Sequence, residues 1–519
     1  MDTGTRIDET SPAARDTPTT DEPAGGNESR LWTYVAWLII AAAAILRLYD
    51  ITLKPLHHDE GVNGFFLLDL FRHGVYRYNP ANYHGPTLYY FSLVVCSINN
   101  LIFGGEGTTT RALRILPVLS GTATVALVIA FRRWLGTLAT VSAAALLALS
   151  PGAVYLSRDF IHEPLLVFFT LALVYYGLQF WRARQRQDLV MCAVTAALMF
   201  STKETTPISW AAIALAAGLA VALVNSQCRP AIRDFGGLKV LANSLSLAAL
   251  LFLACCIVFF SSFLGNFPQG LRDAVSTYTY WSRTGMSQQT APWFTHVRWL
   301  LRIESPIFLL GIAGALLALI RRNNRFALFS GLWGLGLLAI YSALPYKTPW
   351  LLLNIIVPMA FSAGYAIEES WRAGHANPVT RAVVAVIGTA ALSVSLYQSV
   401  LLNFFHYDDD RWVYPYAQTQ RGFMRLVEQI DGSAQGIAAE KTSISILSPD
   451  YWPLPWYTRN YLNAGFYGKI TATNADLVIV STLQQAQAEP MLGGYTKRGS
   501  YPLRPGVQLT LYVANHASH

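Results

Sequence analysis

The segment PTLYYFSLVVCSINNLIF, Pro86 to Phe103, decides how this chain is threaded. It is apolar and nearly long enough to cross a bilayer. It therefore either spans the membrane or lies along its surface, and the sidedness of everything after it depends on which. The class itself is set by composition. The chain has 519 residues, of which 13% are charged, against about 25% in a soluble domain. Its mean hydropathy is +0.34. Apolar runs at 31–49, 112–131, 137–156, 164–181, 189–205, 206–224, 240–261, 306–320, 326–344, 349–367 and 382–403 read as transmembrane spans, near the roughly 20 residues a spanning helix needs.

Basic residues choose between the two readings. If 86–103 does not span, Arg132 and Arg133, then Arg182, Arg184 and Arg186, then Arg229, Arg233 and Lys239, then Arg321, Arg322 and Arg325, then Arg372 and Arg381 all fall in short connections on one side. Cytoplasmic loops carry this excess. If 86–103 spans, every later cluster faces outward. The segment is accordingly read as a juxtamembrane helix beside eleven spans, in a multi-pass protein of the cell membrane. The N-terminus is cytoplasmic and the C-terminus external. The formal charge of +8 then reflects topology, not nucleic acid. Residues 1–30 are rich in Thr, Pro, Asp, Glu and Gly and read as a disordered tail rather than a signal peptide. Cys96, Cys192, Cys228, Cys255 and Cys256 lie in or beside apolar runs, so no disulfide framework is expected.

Residues 404–519 differ in texture. SISILS (443–448), DLVIVS (476–481) and VQLTLYV (507–513) read as strands, and 420–430 and 483–489 as helices. The chain is thus expected as a tail (1–30), a transmembrane domain (31–403) and a small external α/β domain (404–519). DDD (408–410) reads as a solvated turn with the option of a cation. WPLPWYTRNY (452–461) reads as packing the domain onto the membrane face, with contact to a substrate as the alternative. No catalytic constellation is visible in 404–519.

This threading collects polar groups on the outer side. LHHDEG (56–61), SRDFIHE (157–163), TKE (202–204) and LPYKTPW (344–350) all reach it, as does the loop 262–305. Ionisable residues near membrane depth are functional candidates. Asp59 and Glu60 are adjacent and point in different directions, so one suits a general base at a cavity rim while the other holds the loop. A solvated loop is the plain alternative. Arg114, Arg158, Lys203 and Lys347 are lone cations at outer helix ends. Singly each reads as a snorkelling anchor; together they suit a phosphate. Asp159, His162 and Glu163 repeat the pattern of LHHDEG. With His57, His58, His84 and Asp59 they allow a divalent metal if several loops converge, although no ligand spacing marks one; the candidates are His58, Asp59, Asp159 and His162. The loop 262–305 is aromatic (Tyr278, Tyr280, Trp281, Trp293, Phe294, Trp299). Its end, APWFTHVRWLLRIE (291–304), reads as an amphipathic surface helix closing on Glu304.

HHDEGVNGFFLLDLF, HGPTLYY (84–90), RILP (114–117), SRDFIHEPL, PYKTPWLLLN and DYWPLPWYTRNY resemble the glycosyltransferase C (GT-C) superfamily in its protein mannosyltransferase and aminoarabinose transferase branch. The nearest resemblance is to the flippase activity-associated proteins. It implies a GT-C fold and a polyprenyl-phosphate-linked sugar donor within the bilayer, with a protein or glycan acceptor left open. Asp59 would be the general base for an inverting displacement and Glu60 its support. Arg114, Lys203 and Lys347 would take the phosphate side, and Arg158, Asp159, His162 and Glu163 the sugar or acceptor side. His84, Glu204, Tyr346 and Glu304 complete the candidate substrate-binding set. The histidines before Asp59 are not general to the superfamily. The alternative, an accessory or scaffold for flipping lipid-linked sugars, would call for broken helices or inverted repeats around a midplane site, and none is read here.

Overall fold

The computed structural model describes residues 26–82, 84–104, 107–224, 237–284, 291–434 and 441–515. The tail up to residue 25, Cys228, Arg229 and Arg233 lie outside them.

The helices follow in order as α1 (Gly26–Leu48), α2 (His58–His73), α3 (Thr87–Phe103), α4 (Thr110–Ala130), α5 (Arg132–Leu135), α6 (Thr137–Leu149), α7 (Pro151–Ser157), α8 (Glu163–Ala183), α9 (Arg186–Phe200), α10 (Thr206–Leu223), α11 (Leu238–Phe260), α12 (Gln269–Thr284), α13 (Thr295–Ile303), α14 (Ser305–Arg321), α15 (Arg325–Ala343), α16 (Leu352–Ala373) and α17 (Pro378–Val400). Among the described residues eight helices are long and apolar enough to cross a membrane, and two bent pairs raise this to ten. The expected eleventh span, 189–205, is the 15-residue α9. At 1.5 Å per residue it is short for a bilayer. It nevertheless runs antiparallel to α8 and returns the chain to the end where α8 began.

The segment 86–103 is the 17-residue α3, shorter than the eight helices long enough to cross a membrane singly. Its C-terminal half presents Val94, Ile98, Leu101, Ile102 and Phe103 outward while Leu88 and Tyr89 are buried.

The run 137–156 is not one straight helix. It breaks at Ser150 with a bend of 59°, which overturns the expectation of unbroken helices. Ser150 caps α7 through the Ala153 amide, and Pro151 at its first position cannot continue the α6 hydrogen bonds. The break lies close to the LHHDEG end, not at mid-span. α13 and α14 meet at 114°, so 291–304 turns off the bundle as an amphipathic helix, as its sequence pattern implies.

The described basic connections around Arg132, Arg321 and Arg372 gather at one end of the bundle. Arg321 lies 2.5 Å from Glu369 and Arg372 pairs with Glu368. Glu368 also accepts the Ala139 amide at the start of α6. The outer-loop motifs gather at the opposite end.

The C-terminal unit contains α18 (Phe423–Ser433), α19 (Leu454–Tyr457) and α20 (Gln485–Ala488). Its sheet is β1 (Ser443–Ile446), β2 (Asn463–Phe466), β3 (Leu477–Ser481), β4 (Tyr495–Arg504) and β5 (Val507–Ala514), ordered β2-β1-β3-β5-β4. β2, β1 and β3 are parallel, whereas β5 runs antiparallel to β3 and β4. The three expected strands are present. β4 carries polar residues and β2 is short, so neither stands out in the sequence. α19 docks on α2. Trp456 is buried and its Nε1 donates to Thr110 Oγ1 at 3.2 Å. The fit needs glycine, because a Cβ at Gly64 would come within 2.8 Å of the Trp456 ring. The packing reading of WPLPWYTRNY therefore holds. The DDD turn holds arginines: Asp408 pairs with Arg421 at 2.6 Å and Asp409 with Arg411 at 2.7 Å.

Candidate active site

LHHDEG forms the start of α2. His57 is its N-cap, and its Nδ1 accepts the Asp59 amide at 3.1 Å while Glu60 Oε2 accepts the His57 amide at 2.9 Å. This is a capping box built with histidine. Because Nδ1 accepts, Nε2 carries the proton and donates to Tyr416 O at 3.1 Å.

Glu60 is fully buried. It makes a two-point pair with Arg114, Nε to Oε1 and Nη2 to Oε2, each 2.8 Å. It also takes the Phe160 amide at 2.8 Å. With the His57 amide, these contacts occupy both carboxylate oxygens. Burial alone would raise the Glu60 carboxyl; Arg114 overrides it and holds the group well below the usual carboxylate range. Glu60 therefore supports the loop, as expected for one of the two acids.

Asp59 faces elsewhere. Its side chain is 43% exposed, and His57 Nδ1, 3.9 Å from its carboxylate, is the unprotonated nitrogen and forms no ion pair with it. It lines a narrow, solvent-open cleft with Asn63, His84, Tyr155, Asp159, His162, Glu163, Trp350, Tyr414, Tyr416 and Gln418. The cleft thus joins the segment between α1 and α4, the turn after α7, the loop after α15 and the segment between α17 and α18.

The expected phosphate-binding cations do not line it. Arg114 spends its remaining donors on Ile51 O at 2.7 Å and Lys54 O at 3.1 Å. Arg158 caps the end of α1 through Tyr49 O at 2.6 Å and Asp50 O at 2.8 Å. Lys347 caps α15 through Tyr341 O at 2.7 Å, Ser342 O at 2.8 Å and Leu344 O. Lys203 is buried against Glu163. Each cation is drawn to carbonyls or a carboxylate because a buried charge without a partner is costly.

The remaining candidates divide the same way. Glu204 accepts from His84 Nδ1 at 2.9 Å, and His84 forms a β-bridge with Lys203. That close approach needs Gly85, whose missing Cβ makes room for Ser201 O. Tyr346 is half-buried; burial, opposed by Lys203, pushes its hydroxyl up to about 12. Glu304 is buried directly behind the cleft wall, where it accepts Tyr414 OH at 3.1 Å and plugs the α6–α7 break by accepting Ser150 Oγ at 2.9 Å and the Gly152 amide at 2.7 Å. Asp159 lies 2.5 Å from Lys54 Nζ. Burial pushes both toward neutrality, Lys54 downward and Asp159 upward.

The metal option does not fit these side chains. Among the described residues no group of three or more His, Cys, Asp or Glu could hold an ion. His58 packs on Trp452, Asp159 faces Lys54, and His162 Nε2 donates to Gly85 O.

Sequence reading missed Lys54, Asn63, Tyr155, Trp350, Tyr414, Tyr416 and Gln418. Lys54 and Tyr155 sit beside quoted motifs and were legible as neighbours. Tyr414, Tyr416 and Gln418 carry no local signal; they reach the cleft because Gln418 Nε2 donates to Pro55 O at 3.0 Å and Tyr155 OH to Gln418 Oε1 at 3.2 Å. Residues 404–519 thus do contribute to the site.

Residues 84–259, less than half of the chain, match the family model described as dolichyl-phosphate-mannose-protein mannosyltransferase. No curated protein matches the chain significantly. Among solved structures, ArnT from Cupriavidus metallidurans bound to undecaprenyl phosphate is similar at a TM-score of 0.64 and 15% identity, over 96% of this chain and 100% of that one. The oligosaccharyltransferase AglB from Archaeoglobus fulgidus, in complex with an inhibitory peptide and a dolichol-phosphate, is similar at 0.55 and 14% identity, over 88% and 70%.

Proposed function

We propose that this chain, a multi-pass membrane protein with the GT-C glycosyltransferase fold, transfers a sugar from a polyprenyl-phosphate-linked donor to an acceptor hydroxyl at the outer face of the membrane. One observation carries the catalytic assignment. Of the two acids in LHHDEG, Glu60 is buried and saturated, whereas Asp59 reaches the cleft with its carboxylate largely unpaired. Such a group can take a proton. Asp59 accepts the acceptor's hydroxyl proton as the oxygen attacks the anomeric carbon. The new C–O bond forms on the face opposite the breaking one, and the polyprenyl phosphate leaves with the bonding electrons. The anomeric configuration inverts. Binding of undecaprenyl phosphate and dolichol-phosphate by the two similar structures supports the donor class. The outer-face placement rests on the basic connections gathered at the opposite end.

The test uses purified protein in nanodiscs with a panel of polyprenyl-phosphate hexoses and pentoses, with and without EDTA. Mass spectrometry follows free polyprenyl phosphate. Asp59→Asn is expected to slow release by about 10²- to 10⁴-fold without lowering the melting temperature. Release at the wild-type rate would sink the mechanism.

A further inference from the structure

The cleft wall mixes donors and acceptors but has no permanently charged cation. Among the described residues its wall contains no Lys or Arg, and Asp59, Asp159 and Glu163 are carboxylates. Most of its polar groups are engaged within the protein. Asn63 donates to Phe160 O at 3.0 Å and accepts from Tyr89 OH at 2.9 Å. Tyr155 OH donates to Tyr407 O at 2.8 Å. Asp159 and Glu163 hold Lys54 and Lys203.

His162 differs. Its Nε2 lies 3.0 Å from Gly85 O, and a carbonyl only accepts, so the proton sits on Nε2. In the neutral ring Nδ1 is then an acceptor. The residue is fully buried, and Nδ1 has no hydrogen-bond partner among the described residues. Buried polar groups are ordinarily satisfied. Charging the ring is no remedy, since burial, His84 and Lys203 all keep it neutral. None of the described residues supplies the missing donor, and the ring lines the cleft.

We infer that His162 is a specificity-determining residue whose Nδ1 accepts a hydrogen bond from a hydroxyl of a bound polyol. The cleft receives sugar hydroxyls, and the donor's phosphate stays outside it. A phosphate offers acceptors and negative charge to a wall that has carboxylates and no Lys or Arg among the described residues, whereas a sugar hydroxyl supplies the donor Nδ1 lacks. The identification of the polyol as a sugar rests on the glycosyltransferase reading. The hydroxyl belongs either to the transferred sugar or to the acceptor.

The test measures affinities by native mass spectrometry in nanodiscs. The probes are undecaprenyl phosphate, undecaprenyl-phosphate hexoses, their monodeoxy derivatives and methyl hexosides. His162→Phe preserves a ring against His84 and Tyr89 and removes the acceptor. It is expected to weaken a sugar-bearing probe about tenfold while leaving bare undecaprenyl phosphate unchanged. His162→Asn, whose amide oxygen can replace Nδ1, is expected to restore most of the affinity, and it carries the test if His162→Phe does not fold. Loss confined to undecaprenyl-phosphate hexoses assigns the hydroxyl to the donor; loss confined to methyl hexosides assigns it to the acceptor. One monodeoxy donor or hexoside should bind wild type and His162→Phe equally. Unchanged affinity for every sugar probe overturns the inference. So does equal weakening of bare undecaprenyl phosphate, or a wild type that binds no sugar probe. If these binding differences appear but Asp59→Asn transfers at the wild-type rate, the mechanism fails and the role of His162 stands.

Discussion

Asp59 and Glu60 are neighbours with opposite fates, and the difference is burial. Glu60 belongs to a closed set of donors around Arg114. Removing one partner of a buried ion pair leaves the other charge uncompensated, at about 3–5 kcal/mol. Glu60→Gln should therefore lower the melting temperature markedly, whereas Asp59→Asn should not; thermal unfolding in detergent separates them. The pH dependence follows from the depressed Glu60 carboxyl. A group held below its unfolded value stabilises the fold above the ordinary Glu value of about 4.3, and that contribution is lost as pH falls through the folded value. Arg114→Met should cost most stability at neutral pH and progressively less as pH falls, because the buried Glu60 carboxyl, no longer held down by Arg114, is neutralised on acidification. The Lys54–Asp159 pair behaves differently, because burial pushes both groups toward neutrality. Replacing both by apolar residues of similar size should be neutral or stabilising, and replacing Lys54 alone should destabilise.

At the scale of elements, short contacts set where helices begin, end and meet. Lys347 closes α15 and Arg158 closes α1 by occupying their last carbonyls. These roles were hidden in the sequence. A lone cation at the outer end of an apolar helix looks the same whether it faces a phosphate, a lipid headgroup or a carbonyl. The His57–Glu60 capping box, by contrast, is spaced three residues apart and is fully local. Docking of α19 on α2 depends on Gly64, and Gly64→Leu should displace Trp456. The expected result is faster proteolysis between 404 and 420 and weaker transfer, with the transmembrane bundle still folded by circular dichroism. Undiminished transfer and unchanged proteolysis would refute this docking role.

At the scale of the whole molecule, basic connections and outer-loop motifs occupy opposite ends of one bundle. In a background without native cysteines, Thr52→Cys should react with an impermeant maleimide on intact cells, and Arg322→Cys only after permeabilisation; the reverse pattern would invert the topology. Truncation at 404 should abolish transfer, since it removes Tyr414, Tyr416 and Gln418 from the cleft. The sequence by itself determined the class, most spans, three of the five strands and the convergence of LHHDEG, SRDFIHE and TKE. These follow from local hydrophobic pattern and from charge between spans, which act within one segment or one loop. The tertiary structure alone decided which charges are free. Arg114 meets Glu60 across 54 residues, Tyr155 meets Gln418 across 263, and Gln418 meets Pro55 across 363. A buried ion takes whatever partner the fold brings near, because leaving it unpaired is too costly, and periodicity carries no record of that choice.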